Sequence, residues 1–230
     1  MIQSVLDKRL AHLEKLELIL LNEGFIARFI KVNTAKFEEV ESATAIIIKQ
    51  FGKIDVLINN AGITRDASFQ KMTAEQWQQV MDVNLTGVFN CCKAVSPVMI
   101  QNNYGRIINV ISTSVKQPLP NLGVSNTIRA AVANWAKTMA NELGAFGITV
   151  NNVLPGATET ERLQAIISNK VDKTGWTEDL VKEEMLREIP MKRFGNTSEI
   201  AAVAAFLASP AASYVNGATI PVDGGKTPSI

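Results

Sequence analysis

The chain has 230 residues, 47% apolar and 20% charged, enough to bury one sizeable core as a single domain. Its 23 basic and 22 acidic side chains nearly cancel, which argues against a nucleic-acid surface or a polybasic membrane patch. The two cysteines, Cys91 and Cys92, are adjacent and read as reduced thiols on a buried helix face, and with a single histidine, His12, there is no basis for a metal cluster.

In chain order, leucines at helical spacing predict a helix over Ser4–Asn22, with His12 on its solvated surface and Gly24 as its stop. Leu16–Leu21 is too short, and broken by Glu17, to be a leader's apolar core or a membrane span. Phe25–Val32 reads as a strand, and Thr34 opens an amphipathic helix with Val40, Ala43, Ile47, Ile48 and Phe51 on its buried stripe, closed by Gly52. Asp55–Asn59 reads as a buried parallel strand, Thr73–Cys92 and beyond as one long helix, and Arg106–Ile111 as another strand. Ser125–Leu143 follows as a helix closed by Gly144, with Ser125 also suited to the N-cap, and Ile148–Leu154 is a strand running into Pro155-Gly156. Asn196–Glu199 has the form of a capping box leading into Ile200–Ala208, and a final strand, Thr219–Val222, ends at Gly224-Gly225. This alternation predicts an α/β fold: a doubly wound parallel sheet, Rossmann-like, with helices on both faces. Residues Ala157–Ile189 interrupt the rhythm as a charged, mostly helical insert leaving a strand's carboxyl end, a candidate lid at about 157–189 on a single domain spanning 1–230.

Three segments, taken in order, resemble the short-chain dehydrogenase/reductase family: Asn59-Asn60-Ala61-Gly62 after a strand, Asn84 within Asp82-Val-Asn-Leu-Thr-Gly87, and Pro155-Gly156 followed by Thr160. Gly105-Arg106-Ile107 and Val222-Asp223-Gly224-Gly225 complete a likeness running from about Lys53 to Gly225. Ile54–Asn109 is most similar to reductases of 3-oxoacyl thioesters, whereas residues from Ser112 onward resemble a divergent branch with Ser-Asn-x-x-Arg on the catalytic helix. The resemblance implies a nicotinamide-dependent oxidoreductase using NADP (NADPH) or NAD, without a metal. It places Asn60, Ala61 and Gly62 beside the ribose or adenine, Asn33 where the family has an aspartate near the adenine, and Pro155, Gly156, Thr158 and Thr160 at the nicotinamide carboxamide. Ser112 matches the serine that polarises the substrate carbonyl, and Asn84 the residue that holds a backbone kink and a relay water. It further implies a small-molecule carbonyl substrate, possibly an acyl thioester, and a homo-oligomer, tetramer or dimer; the charge balance predicts no nucleic-acid or membrane partner, and the two reduced thiols fit a cytoplasmic location.

Two departures matter. No Gly-x-x-x-Gly-x-Gly run occurs anywhere, so the first strand-helix-strand unit of the family, with its phosphate-holding turn, is lacking. Either the sequence lacks its true beginning, or the fold cannot hold a dinucleotide in the usual way. The second departure is chemical: Ser125 stands where the family has its proton-donating tyrosine, and Arg129 where it has lysine. Arg129 can still hold a ribose, whereas an aliphatic hydroxyl is a far weaker acid than a phenol. Tyr104 and Tyr214 lie far from that helix in sequence, and Lys116 is a further candidate donor. The expectation is therefore an oxidoreductase in which Ser125, or a water it positions, supplies the proton, or else a catalytically impaired relative serving as a subunit or ligand-binding module. Met72, Trp77, Leu163, Trp176 and Met185 are candidates for an apolar pocket under the insert.

Overall fold

The computed structural model describes residues 13–65 and 67–228, so the expectations for His12 and for residues 4–12 of the first helix lie outside the described residues. Four parallel strands form one sheet in the order β1 (Val56–Asn59), β2 (Gly105–Val110), β3 (Ile148–Pro155) and β4 (Thr219–Val222). Neighbouring parallel strands need crossovers, and helices supply them on both faces, as the alternating pattern predicts.

Side-chain alternation sorts the two faces. Leu57, Ile107, Val150 and Leu154 point toward α4 (Gly87–Asn102) and α5 (Gly123–Leu143), where Val95, Met99, Val132 and Ala136 complete the main core. Ile108 and Val153 point the other way, onto Ala204 and Leu207 of α8 (Thr197–Ala208). Helix α2 (Phe37–Phe51) lies against α4, and the insert folds as the pair α6 (Glu161–Thr174) and α7 (Glu178–Arg187) around its own small core of Leu163, Ile167 and Val181. Thr160 and Thr177 cap these two helices by accepting from the N–H groups of Leu163 and Leu180.

A row of side-chain amides crosses the sheet at a single register. Asn59, Asn109, Asn152 and Thr219 are paired neighbours on successive strands. Asn59 Nδ2 donates to Asn109 Oδ1 at 2.9 Å, Asn109 Nδ2 to Asn152 Oδ1 at 3.0 Å, and Asn152 Nδ2 to Thr219 Oγ1 at 3.1 Å. Asn109 and Asn152 are fully buried, and the row satisfies amides that would otherwise be costly there.

Several expectations need correction. Phe25–Val32 forms no strand; Phe25 and Ile26 are 60% and 82% exposed. A β-ladder needs a neighbour, and none of the described residues pairs with this segment. For the same reason Val56–Asn59 is not a buried strand but a sheet edge, with Ile58 48% exposed. Residues 13–22 belong to α1 and are helical as expected, yet Leu13, Leu16 and Leu18 remain on the surface. Helix α2 begins at Phe37 rather than Thr34, because Asn33 makes a turn of its own: its Oδ1 accepts from the Ala35 N–H. The long helix starting near Thr73 is divided into α3 (Ala74–Met81), a π-helical turn over Asp82–Thr86, and α4. Ser125 is not an N-cap, since α5 begins at Gly123 with Leu122 preceding it. Gly144 continues in a short 3-10 turn, and Gly147 is the residue that turns left-handed ahead of β3.

Candidate active site

Because all four strands are parallel, the residues that follow β1, β2 and β3 emerge at one end of the sheet, where ligands sit in open α/β folds. After β1 comes Asn60-Ala61-Gly62, after β2 Ser112, and after β3 Gly156. A cleft of about 730 Å³ opens there between β1, α6 and α8, lined by Ile58, Asn60, Pro155, Gly156, Thr158 and Thr160 among others. Beside it a smaller cavity of about 140 Å³ gathers Asn60, Ala61, Gly62, Asn84, Asn109 and Arg129.

Asn84 reaches that cavity because of the π-turn. The Gly87 N–H bonds back five residues to the Asp82 carbonyl, which widens the helix and turns buried Asn84 toward the β1 loop. Its Oδ1 accepts from the Ile63 N–H at 2.9 Å and its Nδ2 donates to the Ile63 carbonyl at 2.8 Å. Both ends of the amide are thus engaged in fixing the Asn-Asn-Ala-Gly loop. A Cβ on Gly62 would stand 3.3 Å from Asn84 Oδ1, so a side chain there would press the amide back by a few tenths of an ångström. At the end of β3, the Gly156 N–H donates to the Val222 carbonyl, and a Cβ at Gly156 would fall 2.6 Å from that of Asp223. Thr158 Oγ1 donates to the Gly156 carbonyl at 3.1 Å, and Thr160 Oγ1 to the Thr158 carbonyl at 3.2 Å, so both threonines also brace the turn.

Ser112 caps the 3-10 turn Thr113–Val115, its Oγ accepting from the Ser114 N–H at 3.1 Å. Ser125 is buried, and its Oγ accepts from Arg129 Nε at 3.2 Å. The Arg129 Nη1 donates to the Ile111 carbonyl at 2.6 Å, tying α5 to the end of β2. Neither Ser112 nor Ser125 lines the two cavities, whereas Arg129 lines the smaller. Asn33 stands apart from both; its N–H donates to Glu39, which holds that carboxyl below its ordinary range.

Other candidates fall away from the site. Tyr104 precedes β2, at the far end of the sheet, with the Arg106 guanidinium 4.4 Å above its ring. Tyr214 is wholly exposed, and Lys116 is exposed on the turn after Ser112. The five residues proposed for one apolar pocket do not meet. Leu163 lines the large cleft, Met185 packs in the insert's own core, and Met72 packs with Val80 and Ile128, while Trp77 and Trp176 stay largely exposed. Helical and strand periodicity select buried residues without saying which core takes them. The α8 wall of the cleft, Ile200, Ala201, Ala204 and Ala205, was not foreseen; small residues at three- and four-residue spacing were its signal. The asparagine row was missed as well, although Asn recurs near the carboxyl ends of β1, β2 and β3.

Both thiols are unpaired and raised by burial, Cys92 to about 12, with Asn59 Nδ2 donating weakly to its sulfur at 3.5 Å. Among the described residues, Ala74–Asn102 is long and apolar enough by composition to cross a membrane, but its residues Val88, Cys92, Val95 and Met99 belong to the main core.

The family profile described as Enoyl-(Acyl carrier protein) reductase matches residues 7–227. The 3-oxoacyl-[acyl-carrier-protein] reductase FabG of Staphylococcus epidermidis is 43% identical over 198 residues, covering 85% of this chain and 76% of that relative. The 3-oxoacyl-[acyl-carrier-protein] reductase of Synechocystis is 43% identical over 199 residues, 85% of this chain and 74% of that protein. A gluconate 5-dehydrogenase from Burkholderia cenocepacia, solved with NADP and tartrate, superposes with a TM-score of 0.85 at 33% identity, covering 94% of this chain and 81% of that one. An NAD+-bound xylitol dehydrogenase gives 0.87 at 32% identity, over 92% and 84%. With the parallel sheet, the Asn-Asn-Ala-Gly loop and the π-turn asparagine in place, these matches establish that the chain belongs to the short-chain dehydrogenase/reductase family of NAD(P)-dependent oxidoreductases.

Proposed function

We propose that the chain reduces the carbonyl of a 3-oxoacyl thioester to the 3-hydroxy product with NADPH. The observation that carries this reading is the 43% identity to the 3-oxoacyl-[acyl-carrier-protein] reductases, joined to a loop, a π-turn asparagine and a basic residue that converge on one cavity. The described residues fit one half of a dinucleotide. Asn60, Ala61, Gly62 and Arg129 suit a ribose, and the tight Pro155-Gly156 turn, where a Cβ would strike Asp223, suits a flat carboxamide. When bound, the nicotinamide supplies the hydride. No glycine-rich turn for the pyrophosphate exists in the sequence, so this half of the site is unmatched.

Within that frame the Ser112 hydroxyl donates toward the substrate carbonyl oxygen while its own oxygen accepts from Ser114. Asn84 keeps the loop in position, and Arg129 holds the cofactor ribose. Ser125, or a water it orders, delivers the proton. The insert α6–α7 acts as a lid, with Arg162, Leu163 and Ile166 already facing the cleft. The location is cytoplasmic, in keeping with two reduced thiols. The assembly is a homotetramer through the α4–α5 surface, where exposed Phe89 meets Trp135 with ring centroids 5.7 Å apart, and through the region around β4.

One observation favours a second reading, a ligand-binding subunit without turnover. Ser125 is buried and already accepts from Arg129, and no tyrosine lines either cavity. The deciding experiment is titration with NADPH and NADH, followed by NADPH oxidation in the presence of acetoacetyl-CoA. Turnover that Ser112→Ala abolishes supports the reductase; cofactor binding with no turnover selects the subunit.

A further inference from the structure

Three consecutive side chains in the first turn of α5 leave the helix about 100° apart and reach three parts of the site. Val124 packs in one apolar cluster with Ile63, of the loop after β1. Ser125 accepts from Arg129. Asn126 turns to the loop after β2, where its Oδ1 accepts from the Leu119 N–H at 3.3 Å and its Nδ2 donates to the Leu119 carbonyl at 2.9 Å. Leu119 stands between Pro118 and Pro120, which have no N–H, so its amide is the sole main-chain donor of that run and Asn126 takes it. Arg129, three residues further and thus on the same helix face, ties α5 to the Ile111 carbonyl. The segment from Ile111 to Leu119 is therefore stapled to α5 at both ends, with Ser112 just inside one staple. We propose that Asn126 is a positioning residue for the substrate: its clamp on Leu119 holds the turn begun by Ser112 against α5, so that the Ser112 hydroxyl stands where it meets the substrate carbonyl.

The Asn126 staple carries the far end of this segment. The N–H groups of Val115, Lys116 and Gln117 turn back to the Ser112 and Thr113 carbonyls, and the Ser114 N–H to Ser112 Oγ, so these bonds shape the turn without fastening it to a helix. Beyond Pro120, Asn121 is left-handed at φ 62° and Leu122 pairs with Ala67 in an isolated bridge, which joins this loop to the one after β1. Without the clamp, the described polar ties that flank the turn are those at Ile111 and Leu122, and Ser112 gains room to swing. Asn84 uses the same device across the site, taking both polar ends of Ile63. The two asparagines divide the work: Asn84 fixes the loop assigned to the cofactor, and Asn126 the one assigned to the substrate. An amide is required at position 126, because a carboxylate would set a second oxygen against the Leu119 carbonyl. The inference rests on the reductase reading, in which Ser112 polarises the carbonyl.

The test measures acetoacetyl-CoA affinity by calorimetry on the whole chain saturated with NADP+, a complex that cannot turn over, beside NADPH affinity and the kcat/KM of reduction. Asn126→Ala is expected to weaken acetoacetyl-CoA binding and to lower kcat/KM by about 10–100-fold, while NADPH affinity changes by less than about twofold. Asn126→Asp, which keeps the size of the side chain and the acceptor for the Leu119 N–H, is expected to lose as much. In the Ser112→Ala background the further effect of Asn126→Ala on acetoacetyl-CoA affinity should shrink to about twofold or less, because the residue acts through Ser112. A role in stability alone would lower the melting temperature and leave this coupling at zero. Parent-like affinity and kcat/KM in both Asn126 variants, an equal loss with and without Ser112, or a parallel loss of NADPH affinity each overturn the inference and leave the reductase reading standing. A parent chain that neither binds nor reduces acetoacetyl-CoA removes that reading, and this inference with it.

Discussion

Arg129 Nε donates to Ser125 Oγ at 3.2 Å across one turn of α5. Two residues that the resemblance sets at the positions of the family's proton donor and its modulating base are therefore bonded to each other, and Arg129 is held further by the Ile111 carbonyl. Exchanging both, Ser125→Tyr with Arg129→Lys, restores a phenol beside an ammonium. If proton delivery limits the reaction, acetoacetyl-CoA reduction should rise by about 10²–10⁴-fold, read as the rate of NADPH loss. An unchanged rate would place the limitation at cofactor binding.

Asn84→Ala removes the partner of both the Ile63 N–H and its carbonyl. A loss of about 1–3 kcal/mol in unfolding free energy is expected from urea denaturation. If the asparagine acts only by holding the Asn-Asn-Ala-Gly loop, NADPH affinity should fall with it while the substrate KM stays level.

Gly156→Ala puts a methyl group 2.6 Å from Asp223 Cβ and 2.8 Å from its Cα. Neither atom can swing aside, so the β3–β4 end must open. A destabilisation of about 1–3 kcal/mol, seen as a lower melting temperature, is the expected result.

Glu199 is held by a fork from Arg193 at 2.8 and 2.6 Å and by the Asn196 N–H, which lower its carboxyl from the ordinary 4.5 to about 2. A lowered folded value means that this contribution is complete above pH 4.5 and is lost as the pH falls toward 2. Urea midpoints should therefore drop over that interval. Glu199→Gln should flatten the drop while lowering the plateau above it.

Burial lifts the Cys92 thiol to about 12 and also raises Cys91. At pH 8 both should react slowly with iodoacetamide, Cys92 only after unfolding. Fragment ions cleaved between the two residues in tandem mass spectrometry distinguish the adjacent sites.

Much of this architecture was legible because strands and helices carry different apolar periods. Val56–Asn59, Gly105–Val110 and Ile148–Pro155 were found to within two residues, and the helix around Val132 and Ala136 nearly whole. Phe25–Val32 misled because a strand is a property of a pair: its composition is right and its partner is missing. The π-turn was hidden since five residues of wider helix leave the apolar pattern almost intact. Asn60, Gly62, Asn84 and Arg129, which the family resemblance names for separate roles, line one cavity. The resemblance did not foresee that Ser125 would be buried beneath Arg129's bond, a matter of side-chain packing rather than position.

The asparagine row has an evolutionary corollary. Asn109 and Asn152 each donate to one neighbour and accept from another, so replacing Asn109 alone would leave Asn152 Oδ1 unpaired in the buried interior and take from Asn59 Nδ2 its amide partner. Single drift steps at these positions are blocked, whereas a concerted change of the whole row to aliphatic side chains is physically permitted. The row should thus be inherited as a block, and members of the family should divide into those that keep all of it and those that have none.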